Sequence, residues 1–346
     1  MNEEQRKLWL AERRNGIGGS DAAACAGLSR WMTPLEVYYN KTSDTDREET
    51  PDMRRGTLLE PVVRQMYADA TGRAVTTPNK LIVSNEYPFM LANLDGIAAD
   101  HRERVLECKT ARNRSEWGEP GSAEIPVEYL CQVQHYLRVT EFDVADVAVL
   151  FGNDFEFAIY EVPADREFQD LLIAAEAELW GRVQRRIPPE PINTEDVRRR
   201  WPLAKFQAAS IATADDNDVA EVLATIKAHS KAFEELQDRC EAHLKAAIGD
   251  NDALTVGNRT IATWKNHAGS TRFDLTRFKA EQPDLYDQYL TTGKASRTFL
   301  LKTKKAKPCL TTNTTITIPS LPALLCLPAA EDRPAEDLSP ALNAAD

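Results

Sequence analysis

Apolar residues in the first half of the chain recur with two periods, and the switches between them mark out the elements. Leu59, Val62, Val63, Met66, Tyr67 and Ala70 fall at helical spacing, and Pro61 forces that helix to begin near Glu60 or to kink. Short apolar runs over residues 81–84, 89–98 and 105–110 predict strands. The polar Asp100-His101-Arg102-Glu103 between the last two predicts an antiparallel hairpin. Further helices are expected over residues 3–14, from the N-cap pair Ser20-Asp21 after Gly18-Gly19, and over 127–139 and 165–186, the last stopping before Pro188-Pro189. Strand-like runs at 144–151 and 155–162 are joined by Gly152-Asn153-Asp154. Such alternation predicts a mixed α/β domain over residues 1–187.

Residues 188–202 read as a linker. Beyond them Val219, Val222, Leu223, Ile226, Phe233, Leu236, Cys240, Leu244 and Ile248 mark a long amphipathic helix or helical hairpin, and Gly257-Asn258 separates two strand-like runs. Residues 203–302 are therefore expected to form a smaller, helix-rich module. From residue 303 to 346 Thr, Pro and Ala dominate without a usable period, which predicts a flexible tail.

Composition narrows the function classes. The length of 346 residues exceeds what one core usually supports, and 42% hydrophobic with 28% charged residues excludes a disordered chain. No stretch approaches the ~20 apolar residues of a membrane span, and the first residues lack the apolar run of a signal peptide, so a cytoplasmic location is expected. Six cysteines without a C-x-x-C pair indicate neither a zinc ribbon, a disulfide framework nor a four-cysteine cluster. A net charge of −12 argues against a protein that coats nucleic acid through phosphate contacts. Acid and base balance between Arg13 and Gly118, however, which leaves room for a local basic track.

The candidate chemistry lies on the hairpin. Glu107 and Lys109 project from one face of their strand while Cys108 points away. A turn centred on His101 places residues whose numbers sum to 202 opposite each other, pairing Asp95 with Glu107 at about 5 Å between Cβ atoms. Two carboxylates at that distance repel unless a cation lies between them, and oxygen ligands select a hard ion such as Mg²⁺. Taken singly, Asp95 reads as a turn residue before Gly96, and Glu107 with Lys109 as a solvated pair. The flanking Leu94, Ile97, Val105 and Leu106 count against that, since burying unpaired charges costs several kcal/mol. Separately, Gly16-Ile17-Gly18-Gly19 opening a helix, with the Ser20 hydroxyl and the Arg13 guanidinium, outlines an anion pocket; a tight turn is the plainer alternative.

Five blocks in order now give the chain a resemblance to the PD-(D/E)-x-K nucleases, and within them to the lambda-type, YqaJ-like viral exonuclease family. They are Trp9, Arg13 and Gly16-Ile17-Gly18-Gly19-Ser20-Asp21; Gly56-Thr57-Leu58-Leu59-Glu60-Pro61; Leu94-Asp95-Gly96; Leu106-Glu107-Cys108-Lys109; and Gln132-Val133-Gln134-His135-Tyr136. The resemblance implies a restriction-endonuclease-like core, a central mixed β-sheet flanked by helices, with a C-terminal appendage. It implies that Asp95, Glu107 and the Cys108 carbonyl hold Mg²⁺ (Mn²⁺ substituting), that Glu60 extends the site toward a second ion, and that Lys109 positions or activates the attacking water. Gln132 matches a Gln-x-x-x-Tyr signature, with Tyr136 in support or simply in the core. Arg13 and Ser20 would bind a DNA 5′-phosphate. The implied activity is digestion of the 5′ strand of linear double-stranded DNA to leave 3′ overhangs for phage-type recombination. Double-stranded DNA ends, a single-strand annealing protein and a ring-shaped homotrimer are the implied partners. A structure-specific or CRISPR-associated endonuclease and a non-catalytic end-binding module are the alternatives. No role is assigned to Trp31, Tyr38, Tyr39, Arg54 or Arg55, and His135 is read as structural.

Overall fold

The structure, a computed structural model, describes residues 11–43, 50–78, 80–205 and 209–302. The chain divides into two compact units, the first ending at Pro202 and the second beginning at Leu203.

In chain order the first unit contains β1 (Ile17–Gly18), α1 (Gly19–Cys25), α2 (Pro34–Thr42), α3 (Pro51–Thr71), β2 (Ala74–Thr76), β3 (Ile82–Val83), β4 (Met90–Ala92), β5 (Gly96–Ala99), β6 (Glu103–Ala111), α4 (Val127–Thr140), β7 (Val144–Phe151), β8 (Phe157–Pro163), α5 (Arg166–Arg185) and α6 (Thr194–Arg200). Its main sheet has the order β2-β5-β6-β7-β8, with β6 and β7 parallel and the other neighbours antiparallel. The parallel pair requires a crossover, which α4 supplies. A smaller sheet has the order β1-β4-β3.

The almost uninterrupted apolar sequence of β7 fits a central strand covered on both faces. On one face Val105, Val147, Val149 and Tyr160 pack with Val133, Leu137 and Ile173 from α4 and α5. On the other, Leu106, Cys108 and Ala148 pack with Val63 and Tyr67 of α3. Glu107 and Lys109 alternate with Cys108, and so share the α4 face with Val105.

Three expectations are corrected. The apolar run at 89–98 is two strands in different sheets: β4 pairs with β1 and β3, β5 pairs with β2 and β6, and Asn93-Leu94-Asp95 spans the gap. Helix α3 begins at Pro51 rather than near Glu60, and runs through Pro61. Thr50 caps it by accepting from the Met53 N–H, with Pro51 at the first helical position, where its missing N–H costs nothing. The segment 188–202 is not a free linker, because α6 docks onto α2. Buried Asp196 accepts from the Thr33 hydroxyl at 2.8 Å, and Arg199 pairs with Glu36 at 2.8 Å. Most of the expected helix 3–14 and the tail 303–346 lie outside the described residues.

The second unit comprises α7 (Ala214–Ile248), a hairpin of β9 (Ala253–Val256) and β10 (Arg259–Thr263), α8 (Leu275–Glu281) and α9 (Pro283–Gln288). The hairpin turns at Gly257, whose φ of +57° favours glycine.

Candidate active site

The β5–β6 register follows the expected rule: Gly96 lies opposite Leu106 and Ala98 opposite Arg104. Asp95 sits one residue before β5, level with Glu107, and the Cys108 N–H donates to its Oδ2 at 2.8 Å. The strand edge thus fixes the carboxylate that precedes it.

Glu107 is buried and its Oε1 takes two donors, the Lys109 ammonium and Gln132 Nε2 at 2.7 Å. Gln132 in turn accepts from Lys109 Nζ at 3.0 Å through Oε1, so one amide holds both charged groups. From α4, one turn further on, the Tyr136 hydroxyl accepts from Gln132 Nε2 at 3.1 Å. Lys109 Nζ also stands 4.9 Å from the centre of the Tyr129 ring, a cation–π contact. Glu60 on α3 pairs with Arg64 at 2.6 Å.

The electrostatics show how closely the acids crowd. Burial, reinforced by Asp95, pushes the Glu107 carboxyl up to about 8. Burial also raises Asp95, although Lys109 and the Cys108 N–H oppose it. Burial followed by the charge of Asp95 raises Glu60. For Lys109 burial works against the charged form, yet the Glu107 and Asp95 carboxylates prevail and raise its pKa. The ammonium therefore keeps its proton, and burial drives the Cys108 thiol upward so that it stays neutral.

Glu107 Oε2 is buried and accepts no hydrogen bond, one of four such buried polar atoms among the described residues, with Glu176 Oε2, Arg64 Nε and Arg104 Nε. A buried carboxylate oxygen without a donor is costly, and a cation is the partner that would relieve both it and the crowding of acids. Among the described residues no three His, Cys, Asp or Glu side chains already form a metal-binding group. Mg²⁺ takes one or two carboxylates and completes its shell with water and substrate phosphate, and the Asp95 and Glu107 carboxylates are ligands of that kind. The donor set fits the ion.

The glycine block abuts this site. Arg13 donates to Ser20 Oγ at 2.7 Å. With Gly18, Gly19, Asn93 and Tyr136, Arg13 lines a small cavity. Gly16 and Gly19 serve close approach. A Cβ on Gly16 would stand 2.3 Å from the Phe89 carbonyl oxygen, and one on Gly19 2.4 Å from the Tyr136 ring. The Gly18 N–H already donates to Asp21 Oδ2 at 3.1 Å, and Asp21 pairs with buried Lys41 at 2.7 Å. Lys41, Arg64 and Tyr129 escaped the sequence reading, although the i,i+4 spacing of Glu60 and Arg64 was available. His135, to which no catalytic role was given, is buried between Glu176 and the Leu91 carbonyl.

Residues 8–143 match the YqaJ-like viral recombinase domain. The chain is also 32% identical over 298 residues to the uncharacterized protein YqaJ of Bacillus subtilis (strain 168), covering 83% of this chain and 91% of that protein. The chain belongs to the YqaJ-like viral recombinase family. Solved structures similar to this family member include an alkaline exonuclease, LHK-Exo, from Laribacter hongkongensis, at 21% identity and a TM-score of 0.43, covering 56% of this chain and 96% of that one. A phage-related exonuclease from Haemophilus somnus 129PT matches at 12% identity and a TM-score of 0.38, covering 50% and 95%.

Proposed function

We propose that the chain is a Mg²⁺-dependent exonuclease that degrades the 5′ strand of linear duplex DNA and leaves 3′ single-strand overhangs, in phage-type recombination. The observation that carries this reading is the orphaned Glu107 Oε2, buried beside Asp95 and Lys109 in a family member.

Asp95, Glu107 and the Cys108 carbonyl would hold Mg²⁺, with Glu60 toward a second ion and Mn²⁺ as a substitute. When bound, the ion supplies Lewis acidity to the scissile phosphodiester and lowers the pKa of the attacking water. Lys109 acts as a donor: it orients the water and offsets charge that grows on the phosphoryl oxygens. Gln132 fixes Lys109 against Glu107, and Tyr136 fixes Gln132. Arg13 and Ser20 would bind the 5′-phosphate, which would set the polarity of digestion. A ring-shaped trimer around DNA, a cytoplasmic location and a partner that anneals single strands belong to the same reading.

End-labelled linear duplex incubated with and without Mg²⁺ tests it. The expected result is Mg²⁺-dependent shortening from the 5′ end with closed circles untouched; cleavage of circles would favour an endonuclease. Arg13→Ala should slow digestion of 5′-phosphorylated ends roughly tenfold to a hundredfold, the worth of one charge-assisted hydrogen bond, and 5′-hydroxyl ends much less. Equal losses on both ends would move the phosphate pocket elsewhere.

A further inference from the structure

Beside the catalytic lysine runs a row of aromatic rings that the proposed chemistry does not use. Tyr129, on α4, takes Lys109 Nζ over its ring and contacts both Trp117 and Trp31, each at 5.5 Å between ring centres. Trp117 belongs to the core, where it also meets Phe151 and Tyr160. Trp31 does not. Half of its surface is open, at 52% exposure, so its indole is a large apolar face presented to solvent two contacts from Lys109.

The loop that carries Trp31 is held firmly. Ser29 Oγ accepts from the Trp31 and Met32 N–H groups at 3.1 and 3.2 Å. Next to it, the Arg30 guanidinium is tied to Glu128 at 2.6 and 3.1 Å and to Glu116 at 2.7 Å, and lies 5.5 Å from the Trp31 ring centre. Fixing an exposed aromatic this way gains nothing for the core, but it removes the ordering cost that a binding surface would otherwise bear.

We propose that Trp31 and Tyr129 form a stacking platform for an unpaired nucleobase adjoining the phosphodiester held at Lys109. The proposal rests on the nuclease reading above and deepens it. A base is tethered to its phosphate through one sugar, so a phosphate brought to Lys109 carries its base to the surroundings of that lysine. To reach a buried site the terminal nucleotides must leave the duplex, and the unstacking they suffer is repaid where an aromatic face replaces the lost neighbour. Stacking of this kind accepts every base, since each has a π-face, and so suits an enzyme that must digest any sequence. Arg30, whose charge is balanced by two glutamates, stiffens the platform and adds no phosphate clamp.

The test is equilibrium binding of the full-length protein to a labelled duplex whose three 5′-terminal nucleotides are unpaired, with Ca²⁺ replacing Mg²⁺. Those nucleotides carry bases in one substrate and are abasic in the other. On the normal end Trp31→Ala should weaken binding on the order of tenfold, and Trp31→Phe should restore most of it. On the abasic end wild type and Trp31→Ala should bind alike. Equal losses on the two ends, or none on either, would overturn the platform. The measurement needs no cleavage: base-dependent binding without hydrolysis would sink the exonuclease reading alone, and hydrolysis without base dependence would sink the platform alone.

Discussion

Glu107 carries the most contradictory surroundings in the protein: a buried carboxyl with two donors on one oxygen, none on the other, and an acid neighbour. Its raised pKa gives the sign of a stability effect. Between the ordinary 4.5 and about 8, the folded metal-free protein holds a proton that the unfolded chain has released, so rising pH favours unfolding across that window. The stability is complete below 4.5 and lost as pH passes about 8. In EDTA, Glu107→Gln should melt above wild type at pH 8.5 and lose that advantage by pH 5; parallel melting curves at all pH values would mean that Glu107 is not held protonated. The same variant and Asp95→Ala should have no Mg²⁺-dependent cleavage. Lys109→Ala should lower turnover by about 10²- to 10³-fold with little change in DNA affinity, because its charge is matched to one that appears only in the transition state. Equal losses in affinity and turnover would reduce Lys109 to a phosphate clamp.

Between elements, the hairpin was legible because its register is local: a polar turn between two apolar runs fixes which residues face each other, and Asp95 stands level with Glu107 as that rule requires. The break at Asn93-Leu94-Asp95 was hidden, since it arises from the pairing of β4 with β1, more than seventy residues earlier. The first two turns of α3 expose Met53 and Leu58, so no apolar stripe announces them, and only Thr50-Pro51 marks the start. Helix α6 buries an aspartate, Asp196, through a hydrogen bond to Thr33, and hydrophobic periodicity cannot register a polar anchor. The glycine block was visible but its reason was tertiary: Gly19 is where α1 meets the Tyr136 ring on α4. Gly19→Ala tests that contact. A Cβ at 2.4 Å must push the ring aside, costing about 1–3 kcal/mol of stability, and loosens the hydroxyl that holds Gln132. Turnover should fall in a protein that still folds, as circular dichroism would report. Unchanged turnover would show that Tyr136 is only a core residue.

Every residue assigned to the site, from Arg13 to Tyr136, lies in the first unit, as do the described residues of its apolar clusters. The second unit is nonetheless not a late addition peculiar to this chain. An alignment covering 83% of its 346 residues extends well past Pro202, so the Bacillus subtilis relative shares much of that unit as well. Within it, α7 runs for 35 residues with Val219, Ile226, Phe233 and Leu236 exposed along its length. These facts separate chemistry from its organisation, and two truncations measure the separation. Removing residues 303–346 takes away a segment with no motif residue and no periodic apolar face, and should leave cleavage per active site unchanged. Ending the chain after Pro202 keeps α6 with its Asp196 anchor, so the first unit should fold, where a cut at 187 would strip a buried partner from Thr33. The 1–202 fragment should therefore hydrolyse a short duplex at a rate within a few-fold of the full chain. Differences should appear instead in oligomeric state by light scattering, or in the number of nucleotides removed per encounter on long DNA. A soluble, folded 1–202 fragment unable to cleave even the short duplex would place part of the catalytic machinery in the second unit and overturn the assignment of the site to the first.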